Sequence, residues 1–324
     1  MATAALINPE IKIIPLADAD LAGLENLFDE ECAEWLELLR WDYKGASMLI
    51  RDVARQGQLS GCVAMSGNAL IGFAYYVIEG SRCSIGDIYV SKPWRGIGLD
   101  KEMAIAIFDQ LDRLRRLRRI ESQYVGLGND EVDALFQERG FERLERSYML
   151  VELGSEEERS ESVELPDISI RPWQQTDFEQ AARVIHRSYR GKHDSRINSQ
   201  YRTIQGCAEL VTILTDHFWC GDFLPEVSVV AVRPSGALAG VLIASRVASG
   251  IGHLGQISVH PAQQSRGIGR RMIELALSNF RRLGYKSISL AVTTANTNAF
   301  HLYESCGFRT IHTFPVFYRD KRLS

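Results

Sequence analysis

Cysteine pairs, metal-ligand clusters, long apolar runs and an excess of one charge are all missing from this sequence, and each absence removes a class of function. The six cysteines (Cys32, Cys62, Cys83, Cys207, Cys220, Cys306) are scattered, with no C-x-x-C pair and no His/Cys cluster. Neither a redox centre nor a bound metal is therefore expected, and the thiols read as buried packing groups. No stretch approaches the roughly 18 to 20 apolar residues that span a bilayer. The opening MATAALINPEIKII has neither a basic leader nor a long apolar segment with a cleavage site. A cytoplasmic protein with no membrane partner is the expectation. The net charge is only −4, and Gly154 to Glu164, with five glutamates against Arg159, carries that much alone. The remainder is near balance and gives no reason to expect a nucleic-acid partner. The run Arg113, Arg115, Arg116, Arg118, Arg119 interleaves with Leu111, Leu114 and Leu117 and reads as the solvated side of a helix end.

What is present describes two globular halves. With 45% hydrophobic and 24% charged residues over 324 positions, the chain is long enough for two domains, each with its own core. The acidic, Ser/Glu-rich stretch 154–167 reads as a linker between a domain at 1–153 and another at 168–324. Both halves have the same coarse α/β layout: a strand, helices, three strands, a long helix, a strand, a helix and a final pair of strands. In the second half the central elements are strands at Leu238 to Val247 and His253 to Val259, then an amphipathic helix from Gly267 to Leu283 that ends at Gly284. A strand at Ser287 to Val292, a helix at Asn298 to Cys306 and a terminal strand pair broken near Pro315 complete it. In the first half a helix is expected from Gly98 to Arg118. Fixed offsets support a duplication. Val90, Gly98 and Met103 lie 169 residues before Val259, Gly267 and Met272, and Asn129, Gly140 and Phe141 lie 167 before Asn296, Gly307 and Phe308.

The segment that carries chemistry is Gln264-Ser265-Arg266-Gly267-Ile268-Gly269, which leaves one strand and enters a helix. Glycines let backbone approach a phosphate without a Cβ in the way. The first amides of a helix have no internal partner and point at such a ligand with the positive end of the helix dipole behind them.

In its full context, Q-x-x-G-x-G after a strand ending V-x-P, followed by A-N-T-N-A-F-x-L-Y-E-x-x-G-F, this segment resembles the GNAT superfamily of acetyl-CoA-dependent N-acetyltransferases. The likeness covers about Ile168 to Asp320 well and Ile11 to Leu153 more weakly, which implies two GNAT-like domains in tandem, each an α/β fold (α+β) with a mixed sheet. The resemblance implies acetyl-CoA as co-substrate. It places the amides of Arg266, Gly267, Ile268, Gly269 and Arg270 around the pyrophosphate, with Gln264 opening the loop, and the backbone of Ile257 and Val259 along pantetheine and the acetyl carbonyl. Asn296 would contact pantetheine, and Tyr303 would protonate the leaving thiolate. Where some members carry a basic Glu, this sequence has His253, a candidate for receiving the amine's proton. The acceptor implied is a small-molecule or peptide amine, bound by a monomer or homodimer. In the first half Asp100 stands at the position of Gly269 and Phe136 at that of Tyr303, so that half is expected to be degenerate and supporting. A non-catalytic acyl-CoA sensor or scaffold is the alternative for the chain.

Overall fold

The computed structural model describes residues 10–123, 129–154, 165–216 and 220–320. Most of the acidic stretch expected to be a linker, 155–164, lies outside them. From the amino end the chain forms β1 (Ile11–Pro15), α1 (Leu24–Leu39), α2 (Lys44–Arg55), β2 (Ser60–Ser66), β3 (Ala69–Glu79), β4 (Arg82–Val90), α3 (Leu99–Asp112), β5 (Arg119–Gln123), α4 (Asp130–Glu138) and β6 (Glu142–Glu152). It continues through β7 (Ser169–Pro172), α5 (Phe178–Tyr189), α6 (Asp194–Ile197), α7 (Ile204–Asp216), β8 (Asp222–Phe223), β9 (Val229–Val232), β10 (Leu238–Ala248) and β11 (Ile251–Val259). The last elements are α8 (Ile268–Arg282), β12 (Ser287–Thr293), α9 (Thr297–Ser305) and β13 (Arg309–Asp320). Both sheets are mixed: antiparallel hairpins flank one parallel pair in each, β4 with β5 and β11 with β12.

The compact units do not follow chain order. The first comprises Met1–Glu34, Ser47–Arg143 and Phe314–Ser324, and the second Trp35–Ala46 and Leu144–Thr313. In the first unit β1 to β4 form a meander, β5 joins β4 in parallel, and the next place is taken by the end of β13, where Val316 to Asp320 pair antiparallel with Gln123 to Arg119. In the second, β12 is flanked by β11 and by β6, whose Arg146 to Glu152 pair with Thr293 to Ser287. The contiguous halves of the sequence are thus not the same partition as the compact units.

Each unit wraps a sheet around apolar helix faces. In the second, Met272, Ile273, Ala276, Leu277 and Phe280 of α8, spaced at three and four, pack with Leu242, Leu254, Ile288 and Leu290. On the other face Ala181, Ala182, Val184 and Ile185 of α5 and Leu210, Val211 and Leu214 of α7 pack with Val230, Val241 and Ile243. A fully buried Leu contributes on the order of 2 kcal/mol. In the first unit Met103, Ile107, Phe108 and Leu111 of α3 play the part of α8.

Three expectations change. The helix expected to reach Arg118 ends at Asp112, because the chain leaves it to bury Leu117 and to bond Arg118 and Arg119 N–H to the Ser81 carbonyl. Arg119 is consequently not on a solvated helix face. It is buried in β5, paired with Glu121 (2.8 Å) and Asp320 (2.9 Å) and stacked on Tyr318. The terminal strand pair is one strand, β13, running through Pro315. A proline at this point removes only one donor, and the ladder to β5 begins one residue later. Of the cysteines, four are buried and two half-buried, all as free thiols. No helix among the described residues is long and apolar enough to cross a membrane.

A testable consequence follows from the exchanged strands. With a protease site introduced between residues 155 and 164, the cut protein should elute as one species from a sizing column, because each piece supplies a sheet strand to the unit built mainly from the other. Separation of the pieces without denaturant would contradict the exchange.

Candidate active site

In the second unit the strands β11 and β12 run together only from Ile251–Ser287 to Leu254–Leu290, whereas β11 continues to Val259 and β12 to Thr293. The register with β10 slips at the same point: Leu254 faces Ala244 and Gln256 faces Ile243, which leaves Gly255 as an extra residue. A bulge of this kind bends its strand and increases the local twist. Beyond it, Gln256 to Val259 keep β10 on one side and have no β12 partner on the other. That parting opens a cleft of about 450 Å³.

One wall of the cleft is the turn into α8. Gly267 is the N-cap at φ +81°, in the left-handed region, with no side-chain cap among the described residues. Ser265 also has positive φ, +61°. Such a turn exposes successive amides, and those of Ile268, Gly269 and Arg270 precede the first intrahelical bond, from Arg271 N–H to the Gly267 carbonyl (3.0 Å). Gln264 pins the turn by donating to the Val259 carbonyl (3.0 Å). A Cβ added to Gly269 would make ordinary contact with Leu302 (3.4 Å) and Val259 (3.7 Å). The fold therefore tolerates a side chain there, and glycine leaves space for a ligand.

The opposite wall is α9. Asn296 is its N-cap, but its side chain makes no capping bond and faces the cleft with Tyr303. Tyr303 is buried, and burial first, then the neighbouring charges of Tyr189 and Asp194, push its phenol far above the usual range. It stays protonated at any physiological pH. Its hydroxyl has no hydrogen-bond partner among the described residues.

The cleft brings together Ile257, Val259, Gln264, Gly267, Ile268, Gly269, Arg270, Asn296 and Tyr303. Arg266 is not among its lining residues, since its side chain turns to Gln263 and Asp167. His253 lies apart. It is buried with its ring against Trp41 (centroids 4.7 Å) and Tyr148 (6.1 Å), and its Nδ1 meets the Ser289 hydroxyl at 2.9 Å. Burial and the nearby Arg146 cation push its pKa down to about 3. A ring held neutral this strongly is a weak proton acceptor at pH 7. Among the described residues no group of three or more His, Cys, Asp or Glu could hold a metal ion.

Sequence reasoning did not single out Ser188, Tyr189, Lys192 and Ser258 as cleft residues, although they line it. The hydroxyls of Tyr189 and Tyr201, whose rings stack at 4.0 Å, are joined by Gln256, which donates to Tyr189 and accepts from Tyr201, both at 3.1 Å. No residue spacing announces such a network, because α5 and the turn before α7 meet β11 only in three dimensions.

The first unit repeats the frame and fills it. β4 parts from β5 after Ile85, and Gly98 caps α3 at φ +82°. Asp100, however, accepts from the Lys101 amide (2.9 Å) and from the Asn129 side chain. Asn129 also accepts from Glu131 N–H (2.9 Å), and Phe136 is stacked on Phe317 at 4.2 Å.

Residues 21–141 and 198–308, more than half of the chain, match the model of the acetyltransferase (GNAT) family. A mycothiol acetyltransferase from Geodermatophilus obscurus is 32% identical over 104 residues, 32% of this chain and 31% of that protein. One from Propionibacterium freudenreichii subsp. shermanii is 30% identical over 94 residues, 28% of this chain and 30% of that protein. The chain thus matches about a third of the length of these relatives. Among solved structures, a GCN5-related N-acetyltransferase from Sphaerobacter thermophilus superposes with a TM-score of 0.66 at 17% identity, covering 96% of both chains. A tandem GNAT protein from the clavulanic acid biosynthesis pathway gives 0.60 at 14% identity, covering 97% of this chain and 100% of that one. Both are likenesses of fold.

The environment of His253 has a measurable sign. Its folded pKa lies below the unfolded value of about 6.5, so the unfolded chain binds the proton more readily. The stability it confers is present above pH 6.5 and is lost as pH falls toward about 3, by at most about 1.4 kcal/mol per pH unit. His253→Gln should therefore be less stable than wild type at pH 7 in urea unfolding, with the gap closing on acidification. A gap that stays constant from pH 7 to pH 4 would show that the ring is not held neutral.

Proposed function

Since the chain belongs to the acetyltransferase (GNAT) family, we propose that its second unit binds acetyl-CoA and transfers the acetyl group to an amine, while the first unit supports it without turnover. The observation that carries this reading is one cleft with uncapped helix amides on one wall and a protonated, unpartnered phenol on the other. The amides of Gly267 to Arg270 are suited to a pyrophosphate, with Gly269 leaving it space. Backbone of Gln256 to Val259, freed from β12, is suited to extend hydrogen bonds along the pantetheine arm, much as a strand would. An amide of that segment aimed at the thioester carbonyl stabilises the oxyanion that develops there. Asn296, free of capping duty, adds a side-chain contact.

In the transfer, the amine nitrogen forms a bond to the carbonyl carbon and the C–S bond breaks. Tyr303 delivers its proton to the departing sulfur and is reprotonated from the proton that the amine gives up. Its high pKa suits it to donate and not to act as base. His253 serves to pack the sheet against Trp41. The first unit lacks both halves of this chemistry. Asp100 occupies the amide that would meet a phosphate, and Phe136 has no hydroxyl.

Calorimetric titration of the whole chain with acetyl-CoA tests the reading, and should give one site per chain. Gly269→Asp should weaken binding at least about fivefold, since a like charge beside the pyrophosphate costs about 1 kcal/mol or more. Its thermal midpoint should not fall. Asp100→Gly should leave the stoichiometry at one. Tyr303→Phe should lower kcat with an accepted amine about a hundredfold or more while changing the acetyl-CoA Kd less than threefold. Two sites in the wild type, or full turnover by Tyr303→Phe, would overturn it.

A further inference from the structure

An aliphatic amine arrives protonated at neutral pH, so a largely buried acceptor site must meet a positive charge. Several polar groups in and next to the cleft wall are already satisfied by neutral partners. Tyr189, Tyr201 and Gln256 bond one another, and Gln256 also donates to Ser258 (2.9 Å), which accepts from Ser188 (3.1 Å). Asp194, which does not itself line the cleft but whose charge acts on the lining residues Tyr189 and Tyr303, is less fully satisfied. It is 8% exposed, and its Oδ1 accepts from the Thr293 hydroxyl (2.7 Å). Its Oδ2 is buried with no hydrogen-bond partner, and among the described residues no cation lies within 4.0 Å of the carboxylate. A buried carboxylate with half its acceptor capacity unmet is unfavourable unless a ligand completes it.

Its position fits that use. Asp194 opens α6, two residues after the cleft residue Lys192 and five after Tyr189, and Thr293 ends the strand that leads to Asn296. Its negative charge reaches Tyr189, Tyr201 and Tyr303, helping to raise all three phenols. The Arg146 cation acts on the same three in the opposite sense while donating to the Ala291 carbonyl (3.0 Å). The stacked tyrosine rings add aromatic surface of the kind that attracts cations.

We infer that Asp194 recognises the acceptor: its Oδ2 takes a hydrogen bond from the ammonium group of the substrate, which selects aliphatic primary amines that are cationic at neutral pH over neutral arylamines. The ammonium gives one proton to water before its nitrogen attacks, and the proton lost as the amide forms is the one that returns to Tyr303. This rests on the acetyl-transfer reading and names the substrate class of the same cleft.

The test uses the full chain, acetyl-CoA, and a panel of spermidine, glucosamine and lysine methyl ester as cationic amines against aniline and 4-aminobenzoate. Wild type should release CoA with at least one cationic amine and at least a hundredfold more slowly with the arylamines. Asp194→Asn keeps the size and the Thr293 bond but removes the charge. It should raise KM for the accepted amine at least tenfold, change kcat less than threefold and leave the acetyl-CoA Kd within twofold by calorimetry. Thr293→Val removes the hydroxyl and keeps the charge, and should move KM less than threefold. An unchanged KM in Asp194→Asn, equal KM losses in both variants, or preference for arylamines would overturn the assignment of Asp194 while leaving acetyl transfer intact. Acetyl-CoA binding with no CoA release for any amine would instead remove the acetyl-transfer reading, and this inference with it.

Discussion

Two parallel strands that cannot stay together organise the second unit. β11 and β12 pair over four residues, and the extra residue at Gly255 then turns β11 away. Backbone polar groups in a sheet interior are normally paired within the sheet. Here Gln256 to Val259 keep β10 along one edge and present the other edge to the cleft, with side-chain donors already on the Ile257 and Val259 carbonyls. The turn into α8 adds a second row of unpaired donors at the mouth of the same opening. Neither row depends on a charged side chain, and both are held by a core of close-packed Met272, Ile273, Leu277 and Phe280. The cleft is in this sense a property of the backbone, set by where the strands part.

The first unit isolates what the frame alone does. It parts its strands at the corresponding place and caps α3 with a left-handed glycine at nearly the same φ. The difference lies in side chains that have turned inward to satisfy the donors. Asp100 takes the Lys101 amide and draws in Asn129, and Glu34 pairs with Arg95 (2.8 Å) and accepts from Tyr89 (3.0 Å). A donor already bonded within the protein has little to gain from a ligand. One aspartate at a helix N-terminus is favourable to the helix, so Asp100 also stabilises the start of α3.

Much of this was legible in the residues. The glycine pattern from Gln264 to Gly269, and the offsets that align Val90 with Val259 and Gly98 with Gly267, reflect local backbone demands, and local demands leave a local trace. Tyr303 and Asn296 followed from a motif on a single helix. The reading of His253 stopped at a type and a distance from the loop. Its environment is made by Trp41, Tyr148 and Ser289, which lie on three other segments, and nothing in the strand's own sequence records them. Arg119 misled for the same reason, since a run of arginines at helical spacing looks solvated until Asp320, two hundred positions away, supplies the partner. The exchanged strands were hidden more deeply. β6 and β13 carry ordinary strand patterns, and a strand's alternation specifies which face is buried but not which sheet receives it.

That exchange gives the amino-terminal half of the sequence a structural share in the cleft of the second unit. β12, which carries Thr293 and leads to Asn296 and α9, is bordered on one side by β11 only over its first four residues. Along its full length it is held by β6, which precedes the acidic stretch in sequence. Where β11 turns away, β6 alone keeps Ala291, Val292 and Thr293 in line, with Arg146 donating to the Ala291 carbonyl and the Thr294 amide bonded to the Glu145 carbonyl (2.9 Å). Trp41, from the segment after α1, packs on His253, and Asp42 N–H bonds the Val247 carbonyl (2.8 Å). A parted pair of strands needs support on its outer edge, because the edge it loses at the cleft is the one that would otherwise fix its direction. The amino-terminal half of the sequence provides that support through β6 and the segment after α1.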